Sequence, residues 1–322
     1  MNASVLVTGA AGFIGSHLAE QLIRQGHRVI GLDNFDDFYP PSIKRENIRV
    51  LESEEGFSMI EGDIRDADLL SRIFSEYDIS LVAHLAARAG VRPSIQQPLL
   101  YDDMNIRGTI NMLEASRTCG IQQFVFTSSS SVYGLNTKVP FDENDKVDCP
   151  TSPYAASKAA AELLCRTYNH LYGLPITVLR LFTVYGPRQR PEMAIHKFTR
   201  MIESGEEVTV FGDGTSKRDY TYVSDIVDGI TQALAYQNRG FEIFNLGDSR
   251  PIALEYLVSV IEEALEKKAM IKNMMMPPGD VPVTYAGISK ARALLDYQPK
   301  ISIEEGVSLF VKWYLANKVI AR

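Results

Sequence analysis

Short apolar runs alternate with longer amphipathic stretches over the first two-thirds of the chain. Ser4–Thr8, His27–Leu32, Ser58–Glu61, Leu81–Leu85, Phe124–Ser128 and Ile176–Phe182 read as strands, because each is short, apolar and bounded by turn formers. Between them Ile14–Gln25, Asp66–Glu76, Tyr101–Cys119 and Pro153–Tyr172 carry apolar residues at helical spacing. Strand and helix in strict alternation predict an α/β fold, a parallel sheet covered by helices on both faces. Beyond Tyr185 the pattern loosens into helices, short strands and turns such as Gly212-Asp213-Gly214. Met274-Met275-Met276-Pro277-Pro278 reads as a connecting segment, and the last helix, Ile303–Ala316, holds the single tryptophan, Trp313, as a packing residue.

Composition narrows the class. A chain of 322 residues with 45% hydrophobic and 23% charged residues is long enough for one large domain or two unequal ones. The net charge of -7 disfavours non-specific nucleic-acid binding but leaves room for an anionic ligand held by local arginines. Cys119, Cys149 and Cys165 are too scattered for a disulfide framework or a zinc site, so free thiols and no metal are expected. The chain opens directly into a strand pattern, and no run approaches the roughly 18 apolar residues of a membrane span. A cytoplasmic protein is the expectation.

The candidate chemistry sits where strands end. Gly9-Ala10-Ala11-Gly12-Phe13-Ile14-Gly15 joins the first strand to the first helix, a context in which glycines let backbone approach a pyrophosphate at a helix N-terminus. Asp33, ending the second strand and followed by Asn34, can accept hydrogen bonds from an adenosine ribose and would repel a 2′-phosphate, favouring NAD; it is equally a turn or cap residue. Asp63 and Ile64 follow the third strand near an adenine edge, and Leu85-Ala86-Ala87 leaves room beyond the fourth. Thr127-Ser128-Ser129-Ser130-Ser131 presents hydroxyls at the end of the next strand, or is simply a serine-rich turn. Tyr154 and Lys158, four apart, place a phenol and an ammonium on one helical face. A free tyrosine, with a pKa of about 10, is a poor base near neutrality, and a nearby ammonium favours the phenolate.

Taken jointly, the glycine turn, Asp33, Asp63, the serine cluster and Tyr154/Lys158 resemble the extended short-chain dehydrogenase/reductase superfamily, specifically the nucleotide-sugar epimerases and dehydratases. The resemblance covers nearly the whole chain. It implies a Rossmann-type doubly wound parallel sheet with a smaller C-terminal α/β substrate domain. Residues 1–180 would bind NAD and carry the catalytic groups, and 181–322 would mainly bind the nucleotide sugar, with some chain crossing between them. Carried across residue by residue, Tyr154 is the base, Ser129 the partner hydroxyl, and Lys158 the residue that holds the ribose and lowers the tyrosine pKa. Asn105 matches a position that orients this helix and the active-site face. The helices Tyr101–Cys119 and Pro153–Tyr172 resemble the superfamily's dimer-forming pair, so a homodimer is expected.

The C-terminal motifs narrow the sugar. Leu181-Phe182-Thr183-Val184-Tyr185-Gly186-Pro187-Arg188-Gln189-Arg190-Pro191 resembles the corresponding stretch of UDP-glucuronate 4-epimerases. A guanidinium binds a carboxylate through two parallel hydrogen bonds, which makes Arg190 the candidate for a uronate, against the alternative of a loop arginine on the surface. Arg188 either assists it or faces solvent. Phe211 near a uracil pocket, Arg218 at the diphosphate and Asp280 at the ribose follow from resemblance of the segments 210–214, 217–220 and 279–282, although 217–220 also reads as a solvated charged turn. Many relatives place a diphosphate-binding arginine where this chain has Pro277 and Pro278, so the load shifts to Arg218, with Arg88 from the other side. Related dehydratases carry an Asp-Glu pair around positions 130 and 131, and decarboxylases an acid near 131. Ser130 and Ser131 stand here instead, and reversible oxidation at C4, with Ser129, Ser130, Ser131 and Thr183 around the sugar, needs no such acid. The resulting expectation is NAD-dependent 4-epimerisation of UDP-glucuronate. A neutral UDP-hexose epimerase, a UDP-glucuronate decarboxylase and a non-catalytic NAD-binding protein are the alternatives.

Overall fold

In the computed structural model, which describes residues 3–211, 214–236, 240–274 and 282–317, every apolar run of the first two-thirds becomes a strand. Along the chain come β1 (Ser4–Thr8), α1 (Phe13–Arg24), β2 (Arg28–Asp33), α2 (Pro41–Ile48), β3 (Phe57–Glu61), α3 (Ala67–Glu76) and β4 (Leu81–His84). Next are α4 (Val91–Gln96), α5 (Pro98–Asp102), a π-helical turn (Asp103–Arg107), α6 (Gly108–Cys119), β5 (Gln123–Ser129), α7 (Pro153–Tyr172) and β6 (Ile176–Leu181). The remainder comprises β7 (Thr183–Tyr185), α8 (Ala194–Ser204), β8 (Glu207–Phe211), β9 (Lys217–Tyr222), α9 (Val223–Ala235) and β10 (Phe241–Leu246). It closes with β11 (Pro251–Ala253), α10 (Leu254–Leu265), β12 (Met270–Met274), α11 (Ser289–Leu295) and α12 (Ile303–Ala316).

Seven strands form one sheet in the order β10-β6-β5-β4-β1-β2-β3, with every pairing parallel. Strand periodicity divides its side chains between two cores: Val5 and Val7 enter one cluster, Leu6 the other. The first is covered by α1 and α9 through Leu18, Leu22, Ile226 and Ile230. The second is covered by α3, α6 and α7 through Leu70, Ile73, Met112, Leu113 and Cys165. Chain order reverses between β1 and β4, which opens a crevice at the carboxyl ends of those strands.

β10 arrives from the C-terminal third and pairs with β6 along Phe241–Leu246. Beside this sheet lie a three-stranded sheet, β11-β9-β7, and a β12-β8 pair. The helix expected over Tyr101–Cys119 begins at α5 and passes through the π-turn before α6. α7 keeps its expected bounds because local signals fix both ends. Ser152 caps it by accepting from the Ala155 amide, Pro153 occupies its first turn, and Gly173 ends it at φ 66°. The thiols are unpaired, Cys165 buried and the other two exposed.

Candidate active site

The crevice is a cleft of about 440 Å³ reached by the ends of β1, β2, β4, β5 and β7. Its floor is the glycine turn. Gly9 has φ 72°, and a Cβ there would lie 3.0 Å from the Ala86 amide nitrogen. A Cβ on Gly15 would fall 2.0 Å from the Gly9 carbonyl, so only hydrogen fits. Gly12 caps α1 without a side-chain hydrogen bond, which leaves the first N–H groups of the helix for a ligand. These residues, with Phe13, Ile14, Leu85, Ala86 and Ala87, line the cleft and fit a dinucleotide pyrophosphate.

Asp33 is buried at the end of β2, where its carboxylate accepts from the amides of Ala11 (3.1 Å) and Phe35 (2.8 Å). Lys44 of α2 stands 3.5 Å from the same carboxylate, a cleft residue the sequence pattern did not single out. Asp63 does not line the cleft. Partial burial works against its charged form, but hydrogen bonds from Arg65 and Asn34 hold its carboxyl at about 2. Asn34 and Ile64 do reach the cleft wall.

Ser129, Ser130, Ser131, Tyr154, Lys158 and Thr183 meet on the opposite wall. The Ser131 amide donates to Ser129 Oγ at 3.2 Å, and the two hydroxyls lie 3.1 Å apart. Burial pushes the Tyr154 hydroxyl above its ordinary pKa, with the Ser129 hydroxyl and the Arg190 charge acting the other way. Lys158 shares this wall one helical turn from Tyr154. Its ammonium donates to the Thr127 carbonyl at 2.8 Å, and burial lowers it to about 8. Tyr101 meets the Tyr154 ring edge-on at 6.2 Å and is anchored by donating to the Ala89 carbonyl (2.7 Å).

Buried polar groups stand behind this wall, and of these His84, Thr109 and Glu162 escaped the sequence reading. His84 Nδ1 lies 2.8 Å from Thr8 Oγ1, and its Nε2 lies 3.1 Å from Thr109 Oγ1. Thr109 donates to the Asn105 carbonyl, and Thr8 accepts from the Ala86 amide. That leaves one consistent tautomer, with the hydrogen on Nε2 and Thr8 donating to Nδ1. Burial and the Lys158 charge keep the ring neutral down to about 3. Asn105 does not touch the cleft. Its amide bridges the Arg88 backbone (2.7 and 3.0 Å) to Ser157 of α7 (3.0 Å), tying the loop after β4 to the helix that carries Tyr154 and Lys158. Glu162, one turn beyond Lys158, makes a two-point ion pair with Arg180 of β6, 2.8 Å at its shortest, and accepts from Ser128. A lone arginine within Ile176–Leu181 and a glutamate on the buried face of α7 were the available signals.

Arg190 lines the cleft, its guanidinium 5.5 Å from the centroid of Phe38 and 3.3 Å from Glu192. Arg88 approaches the same ring at 4.7 Å and pairs with Asp36, while its Nε is buried with no partner among the described residues. The loop 34–40 thus brings Phe38 and Tyr39 into the cleft lining, Phe38 beside Arg88 and Arg190, a contribution the sequence reading missed. Arg188 does not enter the cleft beside Arg190 and is only partly exposed. It turns back to α1, 2.5 Å from Glu20 and 3.3 Å from Ser16. Arg218 is outside the cleft lining and donates to the Lys217 carbonyl at 2.9 Å. The Phe211 side chain and Asp280, with Pro277 and Pro278, lie outside the described residues. Among the described residues no cluster of metal-binding side chains occurs, and no helix is long and apolar enough to cross a membrane.

Residues 6–310 match the GDP-mannose 4,6 dehydratase family. A UDP-glucuronate 4-epimerase of Thermodesulfobacterium geofontis is 45% identical over 313 residues, spanning 97% of this chain and 96% of that protein. The UDP-glucuronic acid 4-epimerase of Bacillus cereus, solved with UDP-glucuronic acid and NAD, superposes with a TM-score of 0.92 at 37% identity, covering 97% and 99% of the two chains. The UDP-glucose 4-epimerase of Thermotoga maritima, solved with UDP-glucose, gives 0.89 at 35% identity over 98% and 99%.

Proposed function

The chain belongs to the GDP-mannose 4,6 dehydratase family, and from that premise we propose that it is an NAD-dependent 4-epimerase that interconverts UDP-glucuronate and UDP-galacturonate. The carrying observation is Arg190, a cation on the cleft wall whose charge acts on the Tyr154 hydroxyl. Arg190 already stands 3.3 Å from Glu192, and a uronate is the UDP-sugar that offers its guanidinium a further carboxylate from within the cleft, paired through two parallel hydrogen bonds. The remaining groups around it, Ser129, Ser130, Ser131 and Thr183, are neutral hydroxyls, which suits oxidation and reduction at C4 and supplies no acid for eliminating water. Relatives named as UDP-glucuronate 4-epimerases support this choice over a neutral hexose.

NAD, cradled by Gly9, Gly12, Gly15 and Asp33, supplies a reversible two-electron acceptor when bound. Tyr154 takes the O4 proton as the carbinol becomes a ketone, and Ser129 holds that oxygen in place. Lys158, on the cleft wall, would hold the cofactor ribose and supply positive charge near the phenol. The 4-keto sugar turns its other face while the nucleotide stays held, and Tyr154 returns the proton to O4 of the epimer. No net redox change results. The 4-keto uronate is also a β-keto acid, and Arg190 fixes its carboxylate so that the C–C bond stays out of line with the carbonyl.

Arg190→Ala, assayed by NMR on UDP-glucuronate, is expected to raise KM by roughly tenfold or more, the scale of a charge-assisted pair, and to release some decarboxylated sugar. Unchanged turnover and product would remove the assigned role. We further place the enzyme in the cytoplasm as a homodimer. Support comes from the exposed apolar side chains Ile95, Leu99, Leu163, Leu171 and Tyr172 on the helices from α4 to α7.

A further inference from the structure

The segment that delivers Arg190 turns on a glycine and then on an arginine held in a backbone conformation its side chain disfavours. Gly186 has φ 141°, and a Cβ there would lie 2.7 Å from Val223. Arg188 has φ 64°, a left-handed backbone that side chains other than Gly, Asn and Asp seldom adopt. Some interaction has to hold it there.

That interaction comes from α1. The Pro187 carbonyl accepts from His17 Nε2 at 2.9 Å, and the Arg188 guanidinium spans Glu20 and Ser16. The pair is largely sheltered, with Arg188 20% and Glu20 17% exposed, so solvent screens it little. His17 is a neutral donor, kept so to about pH 4 by burial and the adjacent Arg188 charge. On the other side of the turn, Gln189 is buried, donating from Nε2 to the Val184 carbonyl (3.1 Å) while its own carbonyl accepts from His196 (2.7 Å). Arg190 follows immediately after these three anchored residues.

The helix making these contacts is the one whose first turn, Phe13 to Gly15, forms the cofactor cradle. His17 also packs edge-on against Phe13 at 6.0 Å. We propose that His17, Glu20 and Arg188 form a positioning clamp that sets Arg190 for the uronate carboxylate and references it to the cofactor helix. The proposal rests on the reading of Arg190 given above. A bidentate contact tolerates little displacement, so loosening the clamp should cost carboxylate recognition before anything else.

A four-corner cycle tests it, using wild type, Arg188→Asn, Arg190→Ala and the double variant. Asparagine tolerates the left-handed backbone but cannot reach Glu20. Arg188→Asn is expected to lower kcat/KM for UDP-glucuronate by roughly tenfold to a hundredfold, mainly through KM. Bound NAD and affinity for UDP alone should stay as in wild type, because neither involves the carboxylate. In the Arg190→Ala background the same change should have no further effect. Glu20→Gln, nearly isosteric, should reproduce the pattern more weakly, and it serves if Arg188→Asn does not fold. Full losses in both backgrounds, or weakened UDP and NAD binding, would reduce the clamp to a general structural contact and overturn the proposal, as would wild-type kinetics in both clamp variants. If Arg190→Ala alone leaves UDP-glucuronate turnover intact, the uronate reading itself fails, and the proposal with it.

Discussion

Tyr154 and Lys158 share the cleft wall, one helical turn apart on α7. Lys158 is buried below the cleft and donates to the Thr127 carbonyl, and burial alone leaves the phenol harder to ionise than a free tyrosine. Its stabilising partners are Ser129 on one side and the Arg190 charge on the other. Arg190 therefore stands to serve twice, for the carboxylate and for the base. Tyr154→Phe removes the proton acceptor while keeping the ring against Tyr101, and turnover should drop by at least ~10²-fold, the usual worth of a positioned acid–base group. Activity near wild type, measured on the same substrate, would remove Tyr154 from the reaction. The glycine turn, Asp33, Ser129 and Tyr154 were legible because their chemistry depends on local sequence at strand ends. Arg188 was not, since its partners Ser16 and Glu20 are more than half the chain away and only the fold brings them together.

Among the elements, α7 was readable to its ends because Ser152, Pro153 and Gly173 are local start and stop signals. The preceding helix was less so. Its π-turn at Asp103–Arg107 leaves no mark in apolar spacing, yet it places Asn105 between the β4 loop and α7. The place of β10 in the main sheet is likewise decided by pairing with β6 rather than by its own pattern. What locks α7 against the sheet is the Glu162–Arg180 pair, extended through Ser128 next to the cleft residue Ser129 and through Tyr133 to Asn245 of β10. Removing one partner of a buried ion pair leaves the other uncompensated, at a cost of about 3–5 kcal/mol. Glu162→Gln should lower stability on that scale in urea unfolding, whereas Glu162→Met with Arg180→Met should recover much of it. A loss under ~1 kcal/mol in the single variant would show that the pair does not bear on the fold.

Across the whole molecule, two buried histidines tie stability to pH. His17 and His84 stay neutral to about 4 and about 3, against an ordinary value of 6.5. Below 6.5 the unfolded chain takes up protons that the folded chain refuses, so their contribution is complete above that pH and is lost on acidification. Asp219 opposes this, because burial raises its carboxyl to about 6 and the folded state protonates first. Burial raises the carboxyls of Glu143, Asp225 and Asp228 as well, so the histidines are read in the window above about pH 6, before the buried carboxyls take up protons. The urea midpoint should fall between about pH 7 and about pH 6, and a flat or rising midpoint there would contradict neutral histidines at these sites. The same architecture makes one substrate test decisive, because the cradle, the base and Arg190 face a single cleft. Purified protein is incubated with UDP-glucuronate without added NAD, and the sugar nucleotides are separated. Formation of UDP-galacturonate to a stable ratio, carried by cofactor retained through purification, is the expected result. UDP-xylose as the main product, or no change while UDP-glucose is epimerised, would contradict it.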